Sequence, residues 1–250
     1  MSSRVTNLAE LAGSGLLTGA AAQQRTMPVL PAFAELLPQA VVQRGSVVEC
    51  AGSAAVSLAL ALAAGPSLAG AWVGVAGLPE MGVAAAVELG VVPERLVMVA
   101  EPAQRFNDAQ WADVLAAMID GFDVVLLGPG AHVVRAGTAR RLAARLHARG
   151  AVIVTVEGAT PGPFGADLRF EATGAAWQGL GDGHGVAGGR RAHVQLSGRR
   201  VPRPRRAELW LPTADGLVEA ATSFSDTSTA SPFNTPSFKD PAAVAWQPTG

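Results

Sequence analysis

The chain has 250 residues, of which 49% are hydrophobic, and a formal net charge of -1. This length is enough to bury one sizeable core, which excludes a mini-fold held together by disulfides. The nearly neutral charge excludes a global attraction to nucleic acid or to anionic membranes, so any such binding needs a local basic patch.

The N-terminal region predicts a short helix over about Val5–Leu11, followed by a linker. The helix contains Glu10 and no continuous apolar core, so the region is not typical of a signal peptide. A long uncharged run further along is broken by Gly65-Pro66 and by Gly70, which favours a helix, a turn and a buried strand over a membrane span. We expect a soluble, cytoplasmic protein with no membrane attachment.

Strands and helices alternate through the middle of the chain. In chain order, the predicted elements are a strand that ends at Gly52, helix Ser53–Ala64, strand Ala69–Ala76, helix Glu80–Leu89, strand Arg95–Ala100, helix Asn107–Ile119, strand Phe122–Gly128, helix Thr138–Gly150 and strand Ala151–Gly158. Continuous apolar strands separated by helices are typical of a parallel sheet that is covered on both faces. The predicted fold class is therefore α/β, with a mostly parallel central sheet.

The pattern changes after residue 166. Residues 167–212 contain short strands without helices, and their alternation predicts an antiparallel extension with one solvated face. Residues 213–250 are rich in Ser, Thr and Pro, so they predict a tail that is disordered alone. Its aromatic residues are either idle or anchors for a partner; they are Phe224, Phe233, Phe238 and Trp246. The predicted organisation is thus residues 1–26, 27–212 and 213–250.

The stretch ECAGSAAVSLALALAAG, residues 49–65, has the outline of a phosphate-binding loop that leads into a helix. A working loop follows G-x-x-x-x-G-K-[ST], in which the lysine reaches the phosphates and the hydroxyl binds magnesium. Here the Gly-Lys pair falls at Ala54-Ala55, and the loop is about two residues shorter than that pattern requires. Ser57 is the only hydroxyl near the magnesium position. The chain's one lysine, Lys239, lies in the tail.

A nucleotide site also needs a carboxylate at the carboxyl end of a second strand. The strand Phe122–Gly128 ends in glycine, and Asp123 lies at its opposite end. We therefore predict no catalysis, no bound cofactor and a vestigial nucleotide site, whose residues are Gly52, Ser53, Ala54, Ala55, Ser57 and Gly128. The helix N-terminus leaves weak binding of an anion open.

Metal and nucleophile chemistry have no candidate residues. The four histidines share no ligand spacing, and no Ser/His/Asp set has the context of a nucleophile elbow. The single cysteine, Cys50, lies in an apolar run, so it cannot form an internal disulfide and is expected to be a small buried hydrophobe. Catalysis by this chain is therefore not expected.

Arginine is dense in the extension. Seven arginines lie within 17 residues, and they are Arg190, Arg191, Arg199, Arg200, Arg203, Arg205 and Arg206. Three interpretations remain open: solvated strand ends, an acidic protein partner, or weak contact with a DNA backbone. Arg141, Arg145 and Arg149 also form a basic stripe on one predicted helix, which is typical of a solvated face. Trp177, which precedes a Gly-rich turn, is predicted to be a core aromatic.

The order of these elements resembles the RecA core. The segments that carry the resemblance are PVLPAFAELLPQAVVQRGSVVECAG, AWVGVAGLPEMGVAAAVELGVVPERLVMVAEP and FGADLRFEATGAAW. The positions of RecA's chemistry depart from it, because the Walker lysine falls at Ala55, the catalytic glutamate at Gly77 or Leu78, the Walker B aspartate at Gly128 and the nucleotide-sensing glutamine at Glu157. The two DNA-binding loops are reduced to GPGAHVVRAG and EGATPGPFGAD.

Within RecA-like proteins the chain is similar to the ImuA family, specifically its actinobacterial ImuA-prime group. The similar segments are VLPAFAELLP, SLALALAAGPSLAGAWV, ARRLAARLHARGAVIV and WQGLGDGHG. This resemblance implies a non-catalytic accessory protein of a DNA-damage-induced mutagenesis complex. The implied partners are ImuB, an inactive Y-family polymerase homologue, and an error-prone C-family polymerase, with the sliding clamp reached through ImuB. It also implies association with the nucleoid on DNA damage.

Two other functions remain open. A SulA-like inhibitor of cell division also resembles a RecA core without its phosphate loop. A recombination mediator would instead bind single-stranded DNA. Filamentation on overexpression would indicate the first, and DNA binding by the purified chain would indicate the second.

Overall fold

A computed structural model describes residues 25–101, 105–157, 164–181 and 184–221. The predicted N-terminal helix and the four tail aromatics lie outside these residues. The strands are β1 Thr26–Pro28, β2 Val41–Gln43, β3 Val47–Gly52, β4 Val73–Ala76, β5 Leu96–Val99, β6 Val124–Leu127, β7 Val152–Val156, β8 Leu168–Trp177, β9 Leu180–Gly181, β10 His184–Gly185, β11 Arg190–Ser197, β12 Arg205–Trp210 and β13 Glu219–Ala220. The α-helices are α1 Ala55–Leu68, α2 Val83–Glu88, α3 Asp108–Gly121 and α4 Ala136–Arg149.

One nine-stranded sheet organises the described part of the chain. Its strand order is β13-β12-β11-β8-β3-β7-β6-β4-β5. The six strands from β8 to β5 are parallel to their neighbours, whereas β11, β12 and β13 pair in antiparallel fashion. The α/β class and the antiparallel extension predicted from the sequence are therefore confirmed.

The helices cover the two faces of the parallel strands. The core on one face contains the buried side of α1, together with Ala86 of α2. The core on the other face contains Trp111 and Leu115 of α3 with Leu142 and Leu146 of α4. None of the described helices is both long enough and apolar enough to cross a lipid bilayer.

Helix α1 is buried almost all round, which accounts for its Ala-rich sequence. One side packs on the sheet, and the other side packs against the chain that leads into β2. A Cβ atom on Gly65 would lie 2.5 Å from the backbone of Val29, so only glycine permits this approach. The helix continues through Pro66 to Leu68, past its predicted end at Ala64. These tertiary contacts outweigh the helix-breaking tendency of the Gly-Pro pair.

Strand β8 is a single strand of ten residues. The sequence predicts two shorter strands here, DLRFEAT at residues 167–173 and GAAWQGL at residues 174–180. Gly174 lies inside it with a φ of +60°, and the pairing with β11 shifts register opposite this point. This is a β-bulge, in which glycine supplies the left-handed conformation and the strand bends without ending. The bend carries Trp177 and the start of β11 above the first turn of α1.

The sheet continues past residue 213, where the sequence places the start of the tail. Residues 219–220 form β13 at the sheet edge, and the backbone N–H of Ala221 donates to the carbonyl of Glu208 at 2.8 Å. Residues 222–250, which make up the rest of the predicted tail, lie outside the described residues.

The basic stripe of α4 lies against the C-terminal end of α3. Arg145 donates from Nε to Oδ1 of Asp120 at 2.7 Å and forms an ion pair with the same carboxylate. Arg149 donates from Nε to the backbone carbonyl of Asp120 at 3.1 Å. Cations at the end of α3 also complement its helix dipole, so two of the three stripe residues hold the two helices together.

We predict that Asp120→Asn lowers the melting temperature slightly, and only above acidic pH. The hydrogen bond from Arg145 lowers the pKa of Asp120. A lowered folded-state pKa gives stability that is present above the unfolded pKa and is lost as pH falls through the folded one. Melting curves of the wild type and Asp120→Asn from pH 2 to 7 should therefore converge at the acidic end. Asp113→Asn, on the same helix, is the matched control for the loss of one carboxylate.

Candidate functional site

The turn after β3 adopts the strand-to-helix geometry predicted for a phosphate loop. Gly52 ends β3 with a φ of +84°, Ser53 and Ala54 form the turn, and α1 begins at Ala55. The backbone N–H of Ser53 donates to the carbonyl of Ala172 in β8 at 3.1 Å. One of the N–H groups that would cradle phosphate is therefore bound to the neighbouring strand.

The first turn of α1 is occupied by a cation from the chain itself. Arg190, at the start of β11, donates from Nη2 to Oγ of Ser57 at 2.8 Å. Its Nε donates to the carbonyl of Leu211 at 3.1 Å, and its guanidinium lies 5.3 Å from the ring centre of Trp177. The hydroxyl nearest the magnesium position thus binds a guanidinium. Burial lowers the pKa of Arg190.

This contact was not foreseen from the sequence, because Ser57 and Arg190 are 133 positions apart. Arg190 was predicted only as one member of a basic cluster. Trp177 was predicted to be a core aromatic, yet 42% of its surface is exposed and its face is used by Arg190. A tryptophan in the same extension as the arginine-dense segment was the available sequence signal for such a stacked arginine.

Gly128 lies at the same edge of the sheet as Gly52, with β7 between their strands. Its N–H donates to the carbonyl of Ala76 at 2.9 Å, and a Cβ atom on it would lie 1.9 Å from the carbonyl oxygen of Gly77. Any side chain at position 128 would therefore collide with the chain that follows β4. The structure thus leaves no room here for the carboxylate that a magnesium site requires.

Asp123 lies at the opposite end of β6, as the sequence indicates. Its Oδ2 accepts from the backbone N–H of Trp72 at 3.1 Å, and its Oδ1 accepts from Nη1 of Arg44 at 3.3 Å. Asp123 therefore holds the amino ends of two strands together, a structural role far from the carboxyl edge.

A cavity of about 600 Å³ opens at the carboxyl ends of β4, β5 and β6. Its lining includes Gly77, Gly130, Met98 and Glu101. Glu101 was not predicted as a site residue. Its position directly after the apolar strand predicted at Arg95–Ala100 was the available sequence signal. Its Oε1 accepts from the N–H of Phe106 at 2.9 Å, so the carboxylate orders the chain that leads to α3.

Charged side chains on β3, β7 and β8 form a closed cluster around Arg169. Arg169 donates from Nη1 to Glu49 at 2.7 Å and from Nη2 to Glu157 at 2.9 Å, and Glu171 lies 3.8 Å away. The hydrogen bond with Glu157 is the largest cause that raises the pKa of Arg169. Glu157, the position of the nucleotide-sensing residue in the RecA resemblance, is thus engaged in an ion pair.

Most arginines of the extension are paired within the chain. Arg191 pairs with Glu208, Arg199 and Arg200 lie 3.1 and 3.6 Å from Asp167, Arg205 donates to the carbonyl of Leu36 and Arg206 donates to Gln195. Arg203 is exposed and has no partner among the described residues. Of the described residues, only Glu208 and Asp167 bring opposite charge to these arginines, because Arg205 and Arg206 donate to neutral oxygens. The extension therefore keeps a local excess of positive charge, and contact with an acidic partner or with a DNA backbone stays open.

The solvated face of β8, β11 and β12 carries a second cavity, of about 650 Å³. Its polar lining includes Glu171, His193, Arg206 and Glu208, and Nδ1 of His193 lies 2.9 Å from Oε1 of Glu208. Within the described ranges, no group of three or more His, Cys, Asp or Glu side chains is placed to hold a metal ion. Cys50 is buried, and this burial raises the pKa of its thiol, which disfavours the reactive thiolate.

Comparison with known proteins gives two matches. The model of the MT3502 N-terminal domain family matches residues 35–162, which are 128 of the 250 residues. A protein of Mycobacterium tuberculosis (strain ATCC 25618 / H37Rv), described as uncharacterized protein Rv3395c, is 34% identical over 106 residues. That alignment covers 42% of this chain and 50% of the relative, so the similarity spans half of the relative's length.

Proposed function

This chain belongs to the MT3502 N-terminal domain family, and we propose that it is a non-catalytic, RecA-like accessory protein of a DNA-damage-induced mutagenesis complex. In this proposal it works through protein contacts in the cytoplasm and joins the nucleoid when DNA is damaged. Its partners are an ImuB-like inactive Y-family polymerase homologue and an error-prone C-family polymerase, with the sliding clamp reached indirectly. The mycobacterial relative agrees with an actinobacterial ImuA-prime assignment.

The strand order supports the RecA-like part of the proposal. β3 lies between β7 and β8, and the chain that leaves it crosses to β4 before it returns through β6 and β7. In open α/β sheets, ligands bind at the carboxyl edge where the strand order reverses. The turn at residues 52–55 lies at that reversal. This strand order and the position of the turn are consistent with a RecA-like sheet and support this part of the proposal.

The observation that carries the non-catalytic part is the closure of this turn by the chain's own atoms. Ser53 N–H is bound to Ala172, and Ser57 Oγ is bound to Arg190. Gly128 has no room for a metal-binding side chain. Phosphoryl transfer depends on charge stabilisation by a lysine and a magnesium ion, and neither group has a place here. The protein is therefore proposed to be a pseudo-ATPase.

The partner-binding part rests on the extension and on the tail. Arg203 is the extension arginine that remains exposed and unpaired within the described part of the chain. Ala221, which directly precedes residues 222–250 in the chain, lies at the edge of the sheet beside β12. Its four aromatic residues are spaced along a polar segment, as anchors in a segment that orders on binding would be.

A capture experiment from DNA-damaged cells tests this proposal. The tagged full chain should recover a Y-family polymerase homologue and a C-family polymerase. Removal of residues 222–250 should reduce recovery at least tenfold while leaving the melting temperature unchanged, because β13 is retained. The matched control is the full chain with Phe224, Phe233, Phe238 and Trp246 changed to Ala, which keeps the length of the tail and should behave like the truncation.

Three outcomes would contradict parts of the proposal. Phosphate release from magnesium-ATP above the protein-free rate would overturn the pseudo-ATPase assignment. Equal recovery by the truncated and full chains would remove the tail from the interface. Recovery of the tubulin-like division protein in place of polymerases would favour an inhibitor of cell division.

A further inference from the structure

Strand β5 forms one edge of the large sheet and has a free outer side. It pairs with β4 on its inner side, and it is the last strand in the order. Val97 is 37% exposed and Met98 is 42% exposed, so described residues do not cover this edge. Natural proteins usually protect an edge strand with lysine, proline or a bulge. The run Leu96–Val99, LVMV, contains neither a charge nor a proline, and its protection is limited to its short length and to Pro93 and Arg95 before it.

Opposite charges flank this edge at equal distances. Arg95 lies three positions before Met98, and Glu101 lies three positions after it. Arg95 ends a short 3-10 helix, and Glu101 lies two positions after the end of β5. In an antiparallel pair of two identical strands that is centred on Met98 and extends to these flanking positions, Arg95 of one copy faces Glu101 of the other, and Val97 faces Val99. Residues that face each other in such a pair have Cβ atoms about 4.5–5.5 Å apart, within the reach of an ion pair. The sequence of the edge is therefore complementary to itself.

We propose that β5 binds β5 of a second copy of this chain about a two-fold axis at Met98. The two sheets then join into one, with two Arg95–Glu101 pairs at the ends of the contact. An interface of this kind is isologous, so it closes as a dimer and leaves no unpaired edge at β5. This inference does not depend on the proposed function.

Arg95 and Glu101 each keep a polar atom that can form the proposed ion pair. Arg95 donates from Nη1 to the carbonyl of Gly70 at 2.6 Å, and its guanidinium lies 5.7 Å from the ring centre of Trp72. Glu101 uses Oε1 to accept from Phe106. Within the described residues, Nη2 of Arg95 and Oε2 of Glu101 have no recorded hydrogen bond. The existing contacts hold both side chains near the ends of β5, which lowers the entropy lost on pairing.

The crossover that precedes β5 also exposes apolar side chains. Helix α2 lies in the crossover between β4 and β5, and it exposes Val83 and Val87, one helical turn apart. Stable interfaces bury about 1,200–2,000 Å², more than two short strands supply alone. We therefore expect a dimer that dissociates on dilution through the micromolar range.

A second copy fits this edge better than an unrelated extended peptide. Any peptide could satisfy the backbone groups of β5, since strand addition is not specific for sequence at the backbone. The matched spacing of Arg95 and Glu101 about Met98 has a use only when the partner strand carries the same pattern in reverse. The opposite edge, β13, has two residues and offers no comparable pattern.

Charge reversal tests the pairing by sedimentation velocity on the full chain. Arg95→Glu and Glu101→Arg should each raise the dimer dissociation constant at least tenfold, because each places like charges opposite one another. An equimolar mixture of the two variants should form a heterodimer, since every facing pair is then of opposite charge. This rescue separates pairing from a loss of folding. Arg203→Glu is the matched control and should leave the dissociation constant unchanged.

Cross-linking tests the position of the axis. Met98→Cys should form a disulfide dimer on mild oxidation, because facing residues in an antiparallel pair have Cα atoms about 4.5–5.5 Å apart, within disulfide range. The native Cys50 is buried and should contribute no background. Val186→Cys, at a site that is 84% exposed, is the control and should remain monomeric.

The proposal is overturned if the wild type sediments as a monomer of 25.4 kDa at about 100 μM, a concentration far above a dissociation constant of about 1 μM. It is also overturned if the mixed charge variants fail to associate, or if Met98→Cys and Val186→Cys cross-link equally. A dimer that is unaffected by both charge reversals would place the interface elsewhere.

Discussion

Truncation of Phe170 to alanine should lower the free energy of unfolding by about 3–5 kcal/mol, as expected for a large aromatic in a core. Phe170 is 0% exposed and lies in β8, the strand at which the parallel and antiparallel parts of the sheet meet. Its ring packs edge to face on Phe33, with ring centres 5.9 Å apart and planes at 84°. The substitution therefore leaves a cavity where the sheet and the segment preceding β2 join.

Urea denaturation with linear extrapolation measures this loss. Leu180→Ala is the matched control, because Leu180 is 52% exposed and its loss should change stability by no more than about 0.5 kcal/mol. A double-mutant cycle with Phe33→Ala should give a coupling of about 0.5–1.5 kcal/mol from the aromatic pair. A loss below about 1 kcal/mol for Phe170→Ala would contradict the packing described at this junction.

Hydrophobic pattern and turn residues were sufficient to predict the parallel half of the fold. The predicted strand Ala151–Gly158 corresponds to Val152–Val156, and the predicted helix Asn107–Ile119 corresponds to Asp108–Gly121. Asn107 caps that helix through its side chain, as its sequence position indicates. Local sequence patterns were sufficient to predict these strands and helices, because each of them buries its own apolar residues in the sheet or against it.

The remaining features depend on contacts between distant parts of the chain. Helix α1 passes through Pro66 because residues near Val29 pack against it. Strand β8 stays continuous because a bulge at Gly174 absorbs the bend. Trp177 lies under Arg190 and outside the core. No local pattern contains these partners, so sequence reasoning could not supply them.

The candidate site also combines features that the sequence predicts with contacts that it does not. The loss of lysine at position 55 and of a carboxylate at position 128 could be read directly from the sequence. The occupation of the first turn of α1 by Arg190 could not, because β11 reaches α1 only after the bulge in β8 redirects the chain. The sequence therefore predicted what the site lacks, and the structure adds which groups of the chain take its place.

Gly52→Ala should lower the free energy of unfolding by about 2–5 kcal/mol, because of packing between two strands. A left-handed conformation costs alanine about 1–2 kcal/mol, and overpacking adds about 1–3 kcal/mol. Both apply, because φ is +84° and the new Cβ would lie 2.1 Å from the carbonyl oxygen of Ala172. That oxygen belongs to backbone in β8, so it cannot move without breaking the pairing of β3 with β8.

Thermal and urea unfolding of Gly52→Ala and Gly137→Ala distinguish this packing role from a general effect of glycine. Gly137 lies in α4 with no atom within 4 Å of its Cβ position, so alanine there should stabilise the protein by about 0.4–1 kcal/mol. Equal effects of the two substitutions on the free energy of unfolding would contradict the close contact between Gly52 and the carbonyl oxygen of Ala172. A large loss at position 52 alone means that the glycine of the phosphate-loop outline is required by the contact between two strands. The glycine of this outline is therefore explained by the packing of β3 against β8, independently of any bound nucleotide.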